Sequence, residues 1–372
     1  MQDSVLIVTG NFPPDSGGPA KFAENFGIWC GRNDVETKII TYSESPIRRK
    51  YAANVSVISV NQDTSILFKL IRMITTIARN ADRSANILAV GSFIEVYFSS
   101  LICKFEYVAK VPGDIVWERA RNNNITKLNI YDFQEIKLNW KYKLFRRVFT
   151  NSLLKARKII VPSLGLYDLC LLWGIPSEKL SLIYNSVGNE FLQSKPSKIK
   201  SYDLVTVCRL TPWKGVGELI KYSADFNRKL AVIGDGPIRL ELEKYAQSIN
   251  APVHFFGDLP QREVVQILCQ SKVFVLNSTY EGLPHALIEA RALGILIVAR
   301  AGTGSEEVIH DDIDGFLIRE NRELVQTLAK AFSVNLSESD MQDKAKIDIS
   351  KRFNLETNFS SIFKLLIGIT NE

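Results

Sequence analysis

The sequence predicts an α/β protein made of two parallel sheets, each covered by helices on both faces. Three observations lead there. Short β-rich apolar runs alternate with helix-length segments. The runs carry few polar positions, as strands buried on both faces require. The alternation stops at a polar, lysine-bearing stretch, GNEFLQSKPSKIKS, and then restarts, which reads as a linker between two domains.

In chain order, the first half offers strands at SVLIVTG, TKIITY, NVSVISV, ANILAVG, KIIVPS and LSLIYN. The second offers LVTVCRL, KLAVIGDGP, PVHFFG, KVFVLNS, GILIVAR and GFLI. The expected domains are residues 1–187 and 200–350, and a last helix is expected over 354–372, where Leu355, Phe359, Ile362, Phe363 and Leu366 recur at helical spacing. At 372 residues, with 46 % hydrophobic and 23 % charged side chains, the chain has material for two cores.

Composition narrows the function classes. Five scattered cysteines, Cys30, Cys103, Cys170, Cys208 and Cys269, fit neither a disulfide framework nor zinc spacing, so a reducing cytoplasm is the expected compartment. The start reads as a strand rather than a signal peptide, and ILAVGSFIEVYFSSLIC, broken by Gly91 and Glu95, is too short to span a bilayer. Residues 1–187 hold 24 Lys and Arg against 16 Asp and Glu, a net +8, whereas the remainder is −2. An anionic partner for the first half follows, either nucleic acid or an acidic membrane face.

Ligands of doubly wound sheets bind outside the carboxyl ends of the strands, so the loops after strands are where chemistry is sought. After the first strand, TGNFPPDSGGPAKFAENFG sets Gly17 and Gly18 before a helix; they either bring backbone amides up to an anion or only form a tight turn. VIGDGPIRLELEKY has Arg239 at the third glycine position of a dinucleotide loop and reads as a plain helix start. In CRLTPWKGVGELI, Arg209 and Lys214 share one short loop and repel unless an anion comes between them; its position after a strand favours a diphosphate. STYEGLPHALIEARALG puts Glu281 before a helix entered at Pro284 and Glu289 in its second turn. The N–H groups near His285 and Ala286 then face outward with the positive end of the helix dipole. A carboxylate offsetting the dipole explains either Glu singly, not the whole arrangement.

These segments, RLTPWKG, GDGP and STYEGLPHALIEARALG with the later AGTGSEEVIHDDIDGFLI, together resemble the retaining glycosyltransferases of family 4. The resemblance is dense over residues 158–318 and returns at FPPDSGGPAKFAENF. It implies the GT-B fold: two facing Rossmann-like doubly wound domains with a cleft between them, the last helix crossing back to the first. It also implies a metal-independent hexosyltransferase with no cofactor, whose donor is a nucleotide diphosphate sugar. Arg209 and Lys214 would neutralise the diphosphate, and Glu289 would accept hydrogen bonds from the ribose. Glu281, with the backbone of Gly282, Leu283, His285 and Ala286, would hold the sugar and a phosphate. Gly17 and Gly18 would close on the diphosphate from the first domain. Both departures from the family pattern fall on the acceptor side. VPGDIVWERARN has no histidine where many members carry one, which leaves Asp114, Arg119 or Arg121; the usual Asn-Gly-Val-Asp is Asn185-Ser186-Val187-Gly188, so only Asn185 carries over.

Rival readings fail on spacing. Asp312-Ile-Asp314 has the form of a metal-binding DxD, but a polar turn explains it, and His254, His285 and His310 share no ligand spacing, so no metal is expected. A nicotinamide-dependent dehydrogenase needs glycines that both loops lack. A non-catalytic nucleotide-sugar binder would be expected to lose one of the four charged ligands, and nucleic-acid binding has no recognition motif here. In EIKLNWKYKLFRRVFTN, residues 135–151, Leu138, Tyr142, Phe145 and Phe149 form one apolar face. Trp140, Leu144 and Val148 form a second among Lys137, Lys141, Lys143 and Arg147. The expected partner of that second stripe is an anionic membrane surface, with a glycan or lipid-linked acceptor; a helix buried on two sides or a snorkelling surface, and a soluble small-molecule acceptor, are the alternatives.

Overall fold

The computed structural model describes residues 4–13, 17–44, 48–63, 65–81, 86–302, 304–333, 347–349 and 351–369. The chain divides into two compact units. The first comprises residues 1–120, 130–183 and 359–372, the second 121–129 and 184–358. The domain edge expected at residue 350 and the end of the helix expected over 354–372 lie outside the described residues.

The first unit is an eight-stranded sheet in the order β3-β4-β2-β1-β5-β6-β7-β8. Its strands are β1 (Ser4–Thr9), β2 (Glu36–Ser43), β3 (Arg48–Ala52), β4 (Val55–Asn61), β5 (Asn86–Val90), β6 (Val108–Lys110), β7 (Lys158–Val161) and β8 (Leu180–Leu182). All neighbours are parallel except β3, which folds back on β4. The central strand β1 is buried from Val5 to Thr9, so it needs apolar residues at consecutive positions. The helices are α1 (Gly18–Arg32), α2 (Ile66–Asn80), α3 (Phe93–Cys103), α4 (Ile115–Asn122), α5 (Ile130–Glu135), α6 (Trp140–Lys155) and α7 (Leu164–Leu172).

The second unit carries a six-stranded parallel sheet, β11-β10-β9-β12-β13-β14. These are β9 (Tyr202–Val207), β10 (Leu230–Ile233), β11 (Val253–Gly257), β12 (Ser271–Leu276), β13 (Leu296–Arg300) and β14 (Phe316–Ile318). Side chains alternate between its faces with period two, so Phe274 and Leu276 enter one core while Val273 and Val275 enter the other. Helices α8 (Asn189–Gln193), α9 (Val216–Asp225), α10 (Arg239–Ser248), α11 (Gln261–Cys269), α12 (His285–Ala292) and α13 (Leu324–Ser333) accompany the sheet.

The last helix, α14, is Leu355–Leu366. After it the chain turns at Gly368, φ 82°, where Ile369 N–H donates to Lys364 O. Within the first unit Phe359 packs edge-on against Phe22, Phe26 and Trp29 of α1, with ring centroids 5.3–6.1 Å apart. No helix among the described residues is long and apolar enough to cross a membrane.

Candidate functional site

In the second unit the carboxyl ends of β9 and β12 bring two of the expected charged residues, Lys214 and Glu281, together. The loop after β9 holds a short 3-10 turn, Pro212–Lys214, and Lys214 Nζ lies 2.5 Å from Glu281 Oε1 in the loop after β12. Both side chains are about 15 % exposed, so each offsets part of the other's desolvation cost. The loop's two cations therefore differ. Lys214 is neutralised by the protein, while Arg209 is exposed and belongs to no ion pair found among the described residues.

The glycines of GDGP serve this loop. A Cβ on Gly234 would stand 2.1 Å from Cys208 O, and one on Gly236 would stand 2.3 Å from Leu210 O; the backbone around Arg209 approaches where only glycine fits. The sequence reading of this segment as a plain helix start omits that packing role. Beside it, the Cys208 thiol is pushed up to about 11, first by burial, with Glu281 adding to the rise and Lys214 opposing it.

Helix α12 begins at His285 behind Pro284, and Glu289 lies in its second turn at 5 % exposure. A buried carboxylate demands hydrogen-bond donors, and the N–H groups of a first helical turn have no acceptor inside the helix, so this end favours anions. The preceding loop is fixed from the unit's own linker: Asn185 Nδ2 donates to Leu283 O at 2.9 Å. Gly282 and Leu283 are buried, and Gly304 packs so closely on them that its Cβ would meet Gly282 O at 2.5 Å. From behind, Arg291 of α12 is buried between Asp314, at 2.6 Å, and Asp348. Asp314 is thereby committed to Arg291 and His310, while Asp312, φ 63°, pairs with Lys330. The two aspartates of the DxD point to different partners, as a turn requires.

In the first unit, Gly17 caps α1 with φ 133°, its carbonyl accepting from Lys21 N–H, and Gly18 begins the helix. The acceptor-side candidates separate. Asp114 is fully buried and accepts from Val116 N–H, Trp117 N–H, Gln134 Nε2 and Arg146 Nη2, the last at 2.7 Å. Arg146 in turn stacks 5.3–6.0 Å from Phe133, Phe149 and Trp173. Both oxygens of Asp114 are thus engaged by groups of its own unit. Arg119 is exposed over the Phe145 ring at 5.1 Å. Arg121 groups with the second unit, and its pKa is lowered by burial.

The expected helix over 135–151 starts only at Trp140, capped by Asn139 Oδ1 accepting from Tyr142 N–H at 3.0 Å. Phe149 is buried, and Leu138, Tyr142 and Phe145 are half-buried; Trp140, at 72 %, and Leu144 are exposed with Lys137, Lys141, Lys143 and Arg147. Sequence reasoning missed a companion. The first turn of α2 exposes Ile66, at 77 %, with Leu67 and Phe68, followed by Ile71. The signal was present as ILF beside Lys69 and Arg72. Helix α3 touches both α2 and α6, and α2, which follows β4 directly, begins at the carboxyl edge of the sheet.

Comparison with known proteins bears on the fold and on the stretch that carries these residues. Residues 189–348 match the family model Glycosyl transferases group 1. The chain is 29 % identical over 208 residues to the putative colanic acid biosynthesis glycosyltransferase WcaL of Escherichia coli, covering 50 % of this chain and 49 % of that protein. It is 27 % identical over 197 residues to a phosphatidylinositol N-acetylglucosaminyltransferase subunit of Arabidopsis thaliana, covering 48 % and 44 %. The chain thus spans about half the length of these curated relatives. Among solved structures it is similar to Anabaena HepE in complex with UDP and glucose, with a TM-score of 0.76, 18 % identity, and 98 % and 99 % of the two chains covered. The fold of the chain is therefore GT-B, and the stretch that matches the glycosyl transferases group 1 model, residues 189–348, is the one that carries Arg209, Lys214, Glu281 and Glu289.

Proposed function

We propose that the protein is a retaining glycosyltransferase of the family 4 type. It moves a hexosyl group from a nucleotide diphosphate sugar to a hydroxyl of a lipid-linked or surface-glycan precursor. The observation that carries the reading is the arrangement around α12: the Lys214–Glu281 pair before the helix and the buried Glu289 within it. HepE crystallised with UDP and glucose, WcaL named for a polysaccharide, and a plant relative named for a phosphatidylinositol acceptor all support it.

In this reading Arg209 and Lys214 draw charge from the departing diphosphate, aided by the amides of Leu283, His285 and Ala286. Stabilising the leaving group is the main catalytic lever. Glu289 accepts from the ribose hydroxyls, and Glu281 with Gly282 orients the sugar. Gly17 and Gly18 offer the amides at the start of α1 as the first unit's anion-binding element. By resemblance to the family, the acceptor oxygen bonds to the anomeric carbon on the face the diphosphate leaves, and the departing phosphate oxygen takes the hydroxyl proton. No metal has a step. Full activity in EDTA, with an α-linked product from an α-linked donor by NMR, is the expected result; activity lost to EDTA and restored by Mn²⁺ would contradict it.

The acceptor is reached at an anionic membrane face. Helices α2 and α6 contain eight Lys and Arg and no carboxylate, and they expose Ile66, Leu67, Phe68, Trp140 and Leu144. Apolar side chains among cations suit the bilayer interface, where each cation contributes on the order of 1 kcal/mol. Co-sedimentation with liposomes should require anionic lipid, fall with salt, and drop when Lys141, Lys143 and Arg147 become Glu. Equal recovery of wild type and variant in the supernatant would leave a soluble acceptor as the better reading.

A further inference from the structure

The buried polar cluster at the ends of β12 and β13 has not entered the chemistry above. Pairing of Leu276 with Ala299 places Asn277 beside Arg300 at the carboxyl edge of the second sheet. Asn277 is 1 % exposed and Arg300 is 6 % exposed. Arg300 Nη2 and Nε donate to Asn277 Oδ1 at 2.6 and 3.1 Å, and Nη2 reaches Glu218 Oε2 at 3.3 Å. A guanidinium on Oδ1 fixes which way the amide faces, because the amide's own donors cannot take that place. Asn277 Nδ2 is therefore turned to Gly215 O, at 3.0 Å, and to Glu218 Oε2, at 2.6 Å.

Two residues on, Thr279 N–H donates to Trp213 O at 2.9 Å. The carbonyls on both sides of Lys214 are thus held by the same short segment that leads into Glu281. Gly215 admits this approach. It sits at φ 65°, and a Cβ there would come within 2.4 Å of Asn277 Nδ2.

We propose that Asn277, oriented by Arg300, is a positioning residue that holds the Lys214 loop in register with Glu281. The Lys214 ammonium then stands where the donor's diphosphate arrives. This rests on the nucleotide-sugar reading, because the loop's placement matters only if Lys214 acts on a ligand. Neither residue touches the donor in this proposal. Their contribution is geometric, and an ångström of misplacement in a preorganised site costs on the order of a hundredfold in rate.

A double-mutant cycle tests it, with turnover of the preferred nucleotide sugar and calorimetric affinity for its free nucleoside diphosphate as readouts. Asn277→Ala should lower kcat/KM at least tenfold. In the Lys214→Ala background the same change should cost less than about twofold, since the group being positioned is gone. Arg300→Lys keeps the charge, loses the fork, and should behave like Asn277→Ala. Asn277→Asp keeps the acceptor for Arg300 while removing the donor to Gly215 O, and it supplies the result if Asn277→Ala does not fold. Equal losses from Asn277→Ala in both backgrounds, or wild-type turnover in Asn277→Ala or Asn277→Asp, would overturn the proposal. Unchanged turnover and nucleotide affinity in Lys214→Ala alone would instead overturn the nucleotide-sugar reading beneath it, and the positioning role with it.

Discussion

Asp114 in the first unit and Glu281 in the second are both low-exposure carboxylates in loops after strands, each held by one cation. Arg146 holds Asp114 at 2.7 Å, and Lys214 holds Glu281 at 2.5 Å. The difference is in what else they touch. Asp114 accepts from two backbone amides and Gln134 as well, and its cation is walled by three aromatic rings. Glu281 has Lys214 as its ion-pair partner and lies four residues before the start of α12, the helix that carries the buried Glu289. Under the proposed function the first carboxylate serves the fold, whereas the second, paired just before a helix, exchanges its partner for a ligand. Burial and an ion pair alone do not tell the two apart.

The contrast can be broken from either end, and the largest effect is expected in the first unit. Asp114→Ala leaves Arg146 charged and buried, so it should destabilise the fold by about 3–5 kcal/mol in a denaturant melt, with nucleotide affinity of the folded fraction unchanged. Lys214→Ala should act chiefly on turnover, which falls about 10²–10³-fold. Glu289→Ala follows, weakening donor binding by about 1–3 kcal/mol in calorimetry, because a charged acceptor for buried hydroxyls is lost.

The remaining expected effect is a pH dependence of stability. Lys110, at the end of β6, is almost wholly buried, and burial lowers its pKa to about 7 despite the Phe22 ring 4.6 Å from its Nζ. The unfolded lysine titrates near 10.5, so between pH 7 and 10.5 the unfolded chain binds the extra proton. Stability therefore rises with pH through that window on account of this group. Lys110→Met should flatten the rise in thermal melts at pH 7, 8 and 9; an unchanged slope would mean that Lys110 stays charged in the fold.

The second sheet was legible strand by strand, because its six runs are apolar and each is bounded by turn residues. In the first, β3 and β6 escaped. RRKYA is an edge strand, where basic residues prevent pairing with other chains, and VAK is three residues long with a lysine that becomes buried. The charged donor-side residues stood out because they are adjacent to glycines and prolines that announce loops. Asp114 and Arg146, 32 positions apart, did not announce each other. Asn277 and Arg300 look like ordinary strand ends, and only the pairing of β12 with β13 makes them a unit. Contacts set by register between strands are what a single sequence carries least visibly.

The central claim is that the loops after β9 and β12 and the start of α12 bind the nucleoside diphosphate of a sugar donor. Thermal unfolding of the purified protein with UDP-, GDP- and ADP-sugars tests it most directly, since a ligand that binds only the folded state stabilises it by about 2.7 kcal/mol at a hundred times its Kd. One nucleotide class should raise the melting temperature of the wild type, and the rise should largely vanish in an Arg209→Ala, Glu289→Ala double variant that melts like the wild type without ligand. No shift with any of the three, or an equal shift in the double variant, would contradict the account.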